Sequence, residues 1–132
     1  MKILETCLYV DDLDKATEFY TSVLGFKLYS REDNRHVFLA GEEAMLLLFN
    51  PAVTANEIDG IVPKHGALGQ GHVCFQIEPG KEEQFEQHLI NHNVEIEKKV
   101  HFGPHLSIYC RDPAGNSLEF ATRKLWGKAL DG

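Results

Sequence analysis

The sequence predicts an α+β fold built from two repeated βαβββ modules within a single domain of 132 residues. A β-rich segment at residues 5–10 precedes a stripe of apolar residues at helical spacing, and a similar segment at residues 72–77 precedes a second helical stripe. Three short extended runs follow each helix. We therefore expect module one at about residues 1–52 and module two at about residues 68–124.

The first module has clear helix boundaries. Apolar residues recur at helical spacing from Leu13 to Leu24, and we expect Asp11 to cap this helix and Gly25 to end it. The predicted strands that follow lie at residues 27–30, 36–40 and 44–49.

The second module repeats the first, and Cys74 occupies the position in its first strand that Cys7 occupies in the first module. A Pro79-Gly80 break leads into a predicted helix over residues 82–91, which Asn93 can end. The predicted strands that follow lie at residues 94–100, 106–110 and 117–121. Because each helix covers one face of its sheet, we expect the other face to curl around a hollow, called the cup below.

Composition and charge exclude several classes of function. Twenty acidic and thirteen basic residues give a formal charge of −7, which disfavours nucleic acid and membrane surfaces as partners. We find no export signal or membrane-spanning stretch, so we expect a cytoplasmic protein. Three cysteines outside any CxxC pattern, Cys7, Cys74 and Cys110, predict reduced thiols in the core.

Strand alternation predicts which side chains face the cup. In each strand the more apolar set of alternating side chains should pack against the helix. Glu5 and Tyr9 then lie on the opposite face of the first sheet, and His72 and Glu119 lie on the opposite face of the second. Glu5, His72 and Glu119 are thus expected to point into one hollow. Carboxylate oxygens and imidazole nitrogen are ligands for Fe(II), Mn(II), Ni(II) or Zn(II). Taken singly, each residue also fits a solvated strand-end position.

Three strings resemble the vicinal oxygen chelate superfamily, which contains glyoxalase I, bleomycin-resistance proteins, fosfomycin-resistance enzymes and extradiol dioxygenases. They are Leu8–Phe26, which includes FYTSVLGF, Gly71–Phe75, and Arg111–Phe120, which reads RDPAGNSLEF. The resemblance implies paired βαβββ modules that form an open, barrel-like cup around one divalent metal ion, commonly in a homodimer. It matches the metal ligands to Glu5, where many relatives have His, and to His72 and Glu119.

This sequence departs from glyoxalase I at the position of one metal ligand. That enzyme has a fourth ligand on the strand ending the first module, which we expect near Leu46 or Leu48, where only leucines stand. We therefore expect a metal-dependent enzyme, a glyoxalase-like lyase or isomerase or a dioxygenase, acting on a small molecule that binds the metal through neighbouring oxygens. The alternative is a metal-free drug-binding protein of the bleomycin-resistance type.

Further polar residues are candidates for contacts with the substrate. Tyr9, Tyr109 and His105 are the candidate catalytic residues, and Gln76 and Ser107 have the strand parity to orient a substrate. His101 and His105 lie in a segment, residues 100–105, that resembles a loop closing over the cup in relatives. The cationic candidates for an anionic substrate group are Arg31, Arg35 and Arg111, the last more readily explained by an ion pair with Asp112.

Two other features have competing explanations. His88 and His92 stand four residues apart on the second predicted helix, as in zinc sites, but lack the Glu of an HExxH motif. Trp126 either contributes to an interface or covers the edge of the core.

Overall fold

The computed structural model describes residues 1–130, which form two compact units. The first unit comprises Met1–Gly71 together with Pro113–Asn116. The second comprises His72–Asp112 and the described residues that follow Asn116. Each unit contains a four-stranded sheet and a ten-residue helix, so the predicted pair of βαβββ modules is confirmed.

The first unit holds six elements. They are β1 (Glu5–Tyr9), α1 (Leu13–Ser22), β2 (Lys27–Glu32), β3 (His36–Ala40), β4 (Met45–Phe49) and the short α2 (Pro51–Thr54). The strand order is β1-β4-β3-β2, with β1 parallel to β4 and the other neighbours antiparallel. The short helix α2 is an addition to the predicted pattern, and Pro51 stands at its start, where a missing N–H costs nothing.

The boundaries of α1 differ slightly from the prediction. Asp12, and not Asp11, is the N-cap, because the Asp12 carboxylate accepts a hydrogen bond of 3.0 Å from the Lys15 N–H. After the helix, Gly25 adopts φ +77° and its N–H donates to Thr21 O. Gly25 therefore closes the helix end as predicted.

The apolar core of the first unit lies between α1 and one face of the sheet. Its buried residues are Leu8, Val10, Leu13, Ala16, Tyr20, Val37, Leu39, Leu46 and Leu48. Leu8 and Val10 alternate with Cys7 and Tyr9 along the chain, so the predicted strand parity is confirmed for β1. We call the face of each sheet that points away from its helix the open face.

The second unit repeats this plan. Its elements are β5 (His72–Gln76), α3 (Glu82–Asn91), β6 (Lys98–Phe102), β7 (His105–Arg111), β8 (Ser117–Ala121) and a 3₁₀ helix (Arg123–Ala129). The strand order is β5-β8-β7-β6, with β5 parallel to β8. On the helix side Phe85 of α3 packs against Phe120, with ring centroids 4.5 Å apart.

Two predictions for the second unit were wrong. The strand expected at residues 94–100 begins only at Lys98, because its pairing with β7 starts where Lys98 faces Tyr109. The expected loop at residues 100–105 is instead a hairpin in which Gly103, at φ +62°, and Pro104 connect β6 to β7. Asn93 adopts φ +59° after α3, as expected of a residue that ends a helix.

The cysteines and the tryptophan also correct the sequence analysis. Cys110 is buried, but Cys7 and Cys74 are exposed because they lie on the open faces of their sheets. Trp126 is 64% exposed and therefore does not cover the core.

No helix within residues 1–130 is long and apolar enough to cross a lipid bilayer.

Candidate metal centre

The open face of the second sheet brings His72 and Glu119 together. Strands β5 and β8 are parallel neighbours with Cys74 opposite Glu119, so His72 is the diagonal neighbour of Glu119. His72 Nε2 lies 3.4 Å from Glu119 Oε1. On the other side of the ring, His72 Nδ1 lies 3.0 Å from Ser117 O. A backbone carbonyl only accepts, so Nδ1–H donates to Ser117 O, and Nε2 is the ring nitrogen that faces Glu119.

This arrangement fits two ligands of one divalent ion. Two donor atoms bonded to an ion at about 2.1 Å with a tetrahedral angle of about 109° lie about 3.4 Å apart. A ligating histidine commonly donates its second ring N–H to a carbonyl, as His72 does to Ser117. The Glu119 side chain is only 10% exposed, and a buried carboxylate needs a compensating charge that a cation would provide.

The residues around this pair are kept neutral. The Tyr109 ring lies nearly parallel to the His72 ring, with centroids 6.5 Å apart and an interplanar angle of 21°. Burial, and then the negative charge of Glu119, raises the pKa of Tyr109. Cys74 is exposed as a residue, yet desolvation of its thiol and then the Glu119 charge raise its pKa to about 12. At neutral pH Tyr109 is a hydroxyl donor and Cys74 a thiol.

Ser107 adds an unsatisfied polar atom to the same face. Its Oγ is buried without a partner at hydrogen-bonding geometry among the described residues, although it lies near enough to the Tyr109 hydroxyl to lower the pKa of Tyr109. Ser107 and Tyr109 alternate with buried Ile108 along β7, which places both on the open face. A buried hydroxyl without a partner is available to a bound ligand.

Glu5 occupies the corresponding position in the first unit. In β1 and β4, Cys7 faces Leu47, as Cys74 faces Glu119 in β5 and β8. Glu5 therefore corresponds to His72, and Leu47 to Glu119. Glu5 is exposed at the start of β1.

The structure identifies the open-face residue in the run where the resemblance put a fourth ligand. Leu46 and Leu48 face the helix, at 3% and 0% exposure, because they alternate with Leu47 along β4. The open-face position is Leu47, which is also apolar. The first module therefore lacks a ligand there, as the sequence indicated, although at a different residue.

Within the part of the chain that the structure describes, no group of three or more His, Cys, Asp or Glu side chains is arranged to hold a metal ion. Two of the three predicted ligands are together, and Glu5 belongs to the other unit. His88 and His92 are neighbours on α3, with ring centroids 4.3 Å apart.

Tyr9 has a partner that sequence reasoning missed. Its hydroxyl lies 2.7 Å from Nδ1 of His65, a residue in the segment after α2. Burial, and then the neighbouring Cys7, raises the pKa of Tyr9. His65 stands outside any periodic pattern, so the sequence offered no signal for this contact.

The other polar residues that the sequence suggested for substrate contacts are not shown next to His72 and Glu119. His105 begins β7 on the open face, but it lies four residues from Tyr109, about 13 Å along the strand. Gln76 is exposed on the open face of β5, and His101 is exposed on β6.

Each cationic candidate has a carboxylate partner. Arg31 pairs with Asp14 at 2.6 Å, and Arg35 pairs with Glu57 at 2.5 Å. Arg111 forms an ion pair of 2.9 Å with Glu97, a partner that the sequence did not indicate. These arginines are therefore less available to an anionic substrate than the sequence suggested.

Comparison with known proteins identifies the family. The Glyoxalase/Bleomycin resistance protein/Dioxygenase superfamily matches residues 2–120. A lactoylglutathione lyase from Agrobacterium tumefaciens of known structure is 38% identical, with a TM-score of 0.90 over 96% of both chains. An integron cassette protein from the mobile metagenome of the Halifax Harbour sewage outfall is 25% identical, with a TM-score of 0.72 over 92% of this chain and 97% of that one.

A glyoxalase/bleomycin resistance protein/dioxygenase from Nocardioides shares the fold. It is 23% identical, with a TM-score of 0.74 over 92% of this chain and 83% of that one. Together with the match over residues 2–120, these similarities agree with the repeated βαβββ modules and the resemblance noted in the sequence. The chain belongs to the Glyoxalase/Bleomycin resistance protein/Dioxygenase superfamily.

Proposed function

We propose that this protein is a metal-dependent enzyme that acts on a small molecule bound to a divalent ion through two neighbouring oxygens. The ligands are Glu5, His72 and Glu119, and the ion is Fe(II), Mn(II), Ni(II) or Zn(II). The observation that carries the proposal is the 3.4 Å separation of His72 Nε2 and Glu119 Oε1. This separation suits two donors of one ion, and Ser117 fixes the required tautomer.

We further propose that Glu5 comes from a second copy of the chain in a homodimer. The described residues of one chain contain no group of three potential ligands. In a two-fold symmetric dimer, each chain would supply Glu5 to one site and the His72–Glu119 pair to the other.

The chemistry follows from the side chains around the pair. When bound, the ion supplies Lewis-acid stabilisation of negative charge that develops on a substrate oxygen. Tyr109, kept as a neutral hydroxyl, donates a hydrogen bond to the substrate, and Ser107 Oγ is a second donor within the same face. Two carboxylate ligands neutralise the charge of the ion, so its acidity is milder than in a two-histidine site.

The first substrate to test is the hemithioacetal of methylglyoxal and glutathione. The lactoylglutathione lyase that is 38% identical supports this choice. Leu47, at the position where the second module has Glu119, argues against a copy of the glyoxalase I site. A catechol with oxygen consumption as the readout tests the dioxygenase alternative.

The experiment compares the chelated protein with protein reloaded with each of the four metals. We expect one or more metals to restore turnover of one of these substrates, and His72→Ala to abolish both metal uptake and turnover. His92→Gln, at the exposed end of α3, is the control and should behave as the unmutated protein. Lack of metal uptake by the unmutated protein would contradict the proposal.

A second candidate is a drug-binding protein that needs no metal. The superfamily includes bleomycin resistance proteins, and the absence of three clustered ligands within residues 1–130 fits this class too. Titration calorimetry of the chelated protein with metal-free bleomycin tests it. Binding that is unchanged in His72→Ala would favour this function over the enzyme.

A further inference from the structure

We propose that Asn116 is a positioning residue of the metal site and that its buried carboxamide holds His72 Nε2 at 3.4 Å from Glu119 Oε1. The inference rests on the proposed metal-dependent function and adds to it a residue that acts through its neighbours and not as a ligand. Asn116 lies in the string RDPAGNSLEF, three residues before Glu119.

The Asn116 carboxamide joins two separate stretches of main chain. Its Oδ1 accepts a hydrogen bond of 2.7 Å from the Gly71 N–H, and its Nδ2 donates at 3.0 Å to Tyr9 O. The two partners fix the orientation of the amide, because a main-chain N–H only donates and a carbonyl only accepts. Asn116 is 2% exposed, so water does not compete for these bonds. The side chain is therefore held by both of its polar atoms.

The hydrogen bond to Gly71 extends the pairing of β5 with β8 by one residue. Gly71 and Asn116 directly precede the first pair of this ladder, which is His72 with Ser117. Beyond the other end of β5, the Ile77 N–H donates to a main-chain carbonyl of β8, and donors to one neighbouring strand recur every second residue. The Gly71 N–H therefore stands in the same row of donors, and its acceptor is a side-chain oxygen.

His72 needs this support more than Glu119 does. Glu119 lies in the middle of β8, which pairs with β5 on one side and with β7 on the other. His72 is the first residue of β5, and residues 55–71, all of which the structure describes, form neither helix nor strand. Strand ends fray unless they are tied down, and the His72 side chain is 51% exposed. The hydrogen bond between Gly71 and Asn116 ties down this end of β5.

Glycine at position 71 allows the close approach of the main chain to the carboxamide. A Cβ added to Gly71 would lie 3.2 Å from Asn116 Oδ1 and 3.3 Å from Leu8 Cδ2, which is closer than ordinary van der Waals contact. Because Gly71 is joined to His72, a displacement here is passed on to the imidazole. The contact of Nδ1 with Ser117 O, and with it the direction of Nε2, then changes.

The first test measures the affinity of the chelated, full-length protein for Fe(II), Mn(II), Ni(II) and Zn(II). We expect Asn116→Ala to raise the Kd of each metal that the unmutated protein binds by about 10–100-fold, because a ligand loses the partner that orients it. Asn116→Asp keeps an oxygen that accepts from the Gly71 N–H but loses the donor to Tyr9 O. It should therefore unfold at a lower urea concentration and still keep a Kd close to that of the unmutated protein.

Asn50 provides a matched control for the loss of stability. Its carboxamide also joins two main-chain groups, since Oδ1 accepts from the Ala52 N–H at 3.1 Å and Nδ2 donates to Asn34 O at 3.0 Å. Asn50→Ala should therefore lower the stability in urea and leave the Kd unchanged. If Asn116→Asp or Asn50→Ala loses as much metal affinity as Asn116→Ala, or if Asn116→Ala binds metal normally, the inference is wrong.

A variant on the other side of the same hydrogen bond decides the question if Asn116→Ala does not fold. Gly71→Ala retains the carboxamide but pushes it away from the N–H, so it should weaken metal binding less than loss of the carboxamide does. In a protein that already carries Asn116→Ala, it should have little further effect, because the bond is already lost. An unchanged Kd in Gly71→Ala, or effects of the two substitutions that simply add, would contradict the inference.

A second readout needs no metal. Nitrogen-15 NMR of the metal-free protein shows which ring nitrogen carries the proton, and we expect His72 to carry it on Nδ1, where Ser117 O accepts it. Asn116→Ala should give a mixture of the two tautomers, whereas Asn116→Asp should keep the Nδ1–H form. A single, unchanged tautomer in Asn116→Ala would show that Asn116 does not position the ring.

Failure of this inference differs from failure of the proposed function. If the unmutated protein binds metal and Asn116→Ala binds it equally well, the role of Asn116 is wrong and the metal site stands. If the unmutated protein binds none of the four metals, the proposed function itself fails, and the tautomer of His72 alone decides whether Asn116 positions that ring.

Discussion

His72 Nε2 and Glu119 Oε1 lie 3.4 Å apart as diagonal neighbours on two parallel strands. The equivalent positions in the first unit are Glu5 and Leu47. The two modules therefore share a backbone plan but differ in chemistry: one carries a pair of potential ligands, and the other carries a single potential ligand beside an apolar residue. The repeat explains both the fold and the unequal numbers of potential metal ligands in the two modules.

Mixing two inactive variants tests whether Glu5 acts across a dimer. We expect Glu5→Ala and His72→Ala each to bind no metal. After the two are unfolded and refolded together, half of the dimers should be mixed, and each mixed dimer should hold one intact site, which gives about one metal per four chains. Elemental analysis measures the stoichiometry. Lack of recovery in a mixture that does form mixed dimers would mean that Glu5 does not act across the dimer.

Removal of an unsatisfied hydroxyl should stabilise the protein. Ser107 Oγ is buried without a hydrogen-bond partner among the described residues, so Ser107→Ala should raise the free energy of unfolding by about 1 kcal/mol. Urea unfolding of the metal-free protein measures this. If Ser107 also contacts substrate, the same variant should show a higher KM. Destabilisation would indicate that the hydroxyl has a partner in solution.

The three cysteines should differ in reactivity. Burial raises the pKa of Cys110 to about 11, and that of Cys74 is about 12, whereas Cys7 is exposed on β1. Because the thiolate is the nucleophile, an aromatic disulfide reagent at pH 8 should modify Cys7 first, Cys74 slowly, and Cys110 only after unfolding. Cys7→Ser should remove the fast phase. Two equally fast thiols would contradict the described environment of Cys74.

Stability should fall on mild acidification. The pKa of His36 is lowered, first by burial and then by Arg35, so the folded state favours the neutral ring. This contribution is complete above the unfolded pKa of about 6.5 and is lost as the pH falls through the lower folded pKa. The free energy of unfolding should therefore decrease from pH 7 to pH 5, and less steeply in His36→Gln. An equal decrease in both proteins would assign the effect to other groups.

Most helices and strands could be predicted from the sequence, because the periodic pattern of apolar residues that marks each of them lies within that segment. The strands His36–Ala40 and Ser117–Ala121 match the prediction at both ends, and the helix over residues 82–91 does as well. The strand predicted at residues 94–100 failed because pairing with β7 decides where β6 begins. The pattern of apolar residues within β6 carries no information about where its pairing with β7 begins.

The candidate site was only partly accessible from the sequence. Strand parity correctly placed His72 and Glu119 on one face, since side chains alternate by a fixed rule. The family resemblance put the fourth-ligand position near Leu46 or Leu48, and the observed register with β1 identifies Leu47 as the residue of that run on the open face. The contact between Tyr9 and His65 joins residues 56 positions apart through an irregular segment, which no local pattern encodes.

Metal stoichiometry tests the central claim most directly. After chelation and reloading, elemental analysis of the purified protein should find about one transition metal ion per chain. Glu119→Ala should hold less than about a tenth of this amount, whereas Glu95→Ala, which removes an exposed carboxylate outside the sheet, should retain it fully. Equal metal content in all three proteins, or no metal in any of them, would contradict a site built on His72 and Glu119.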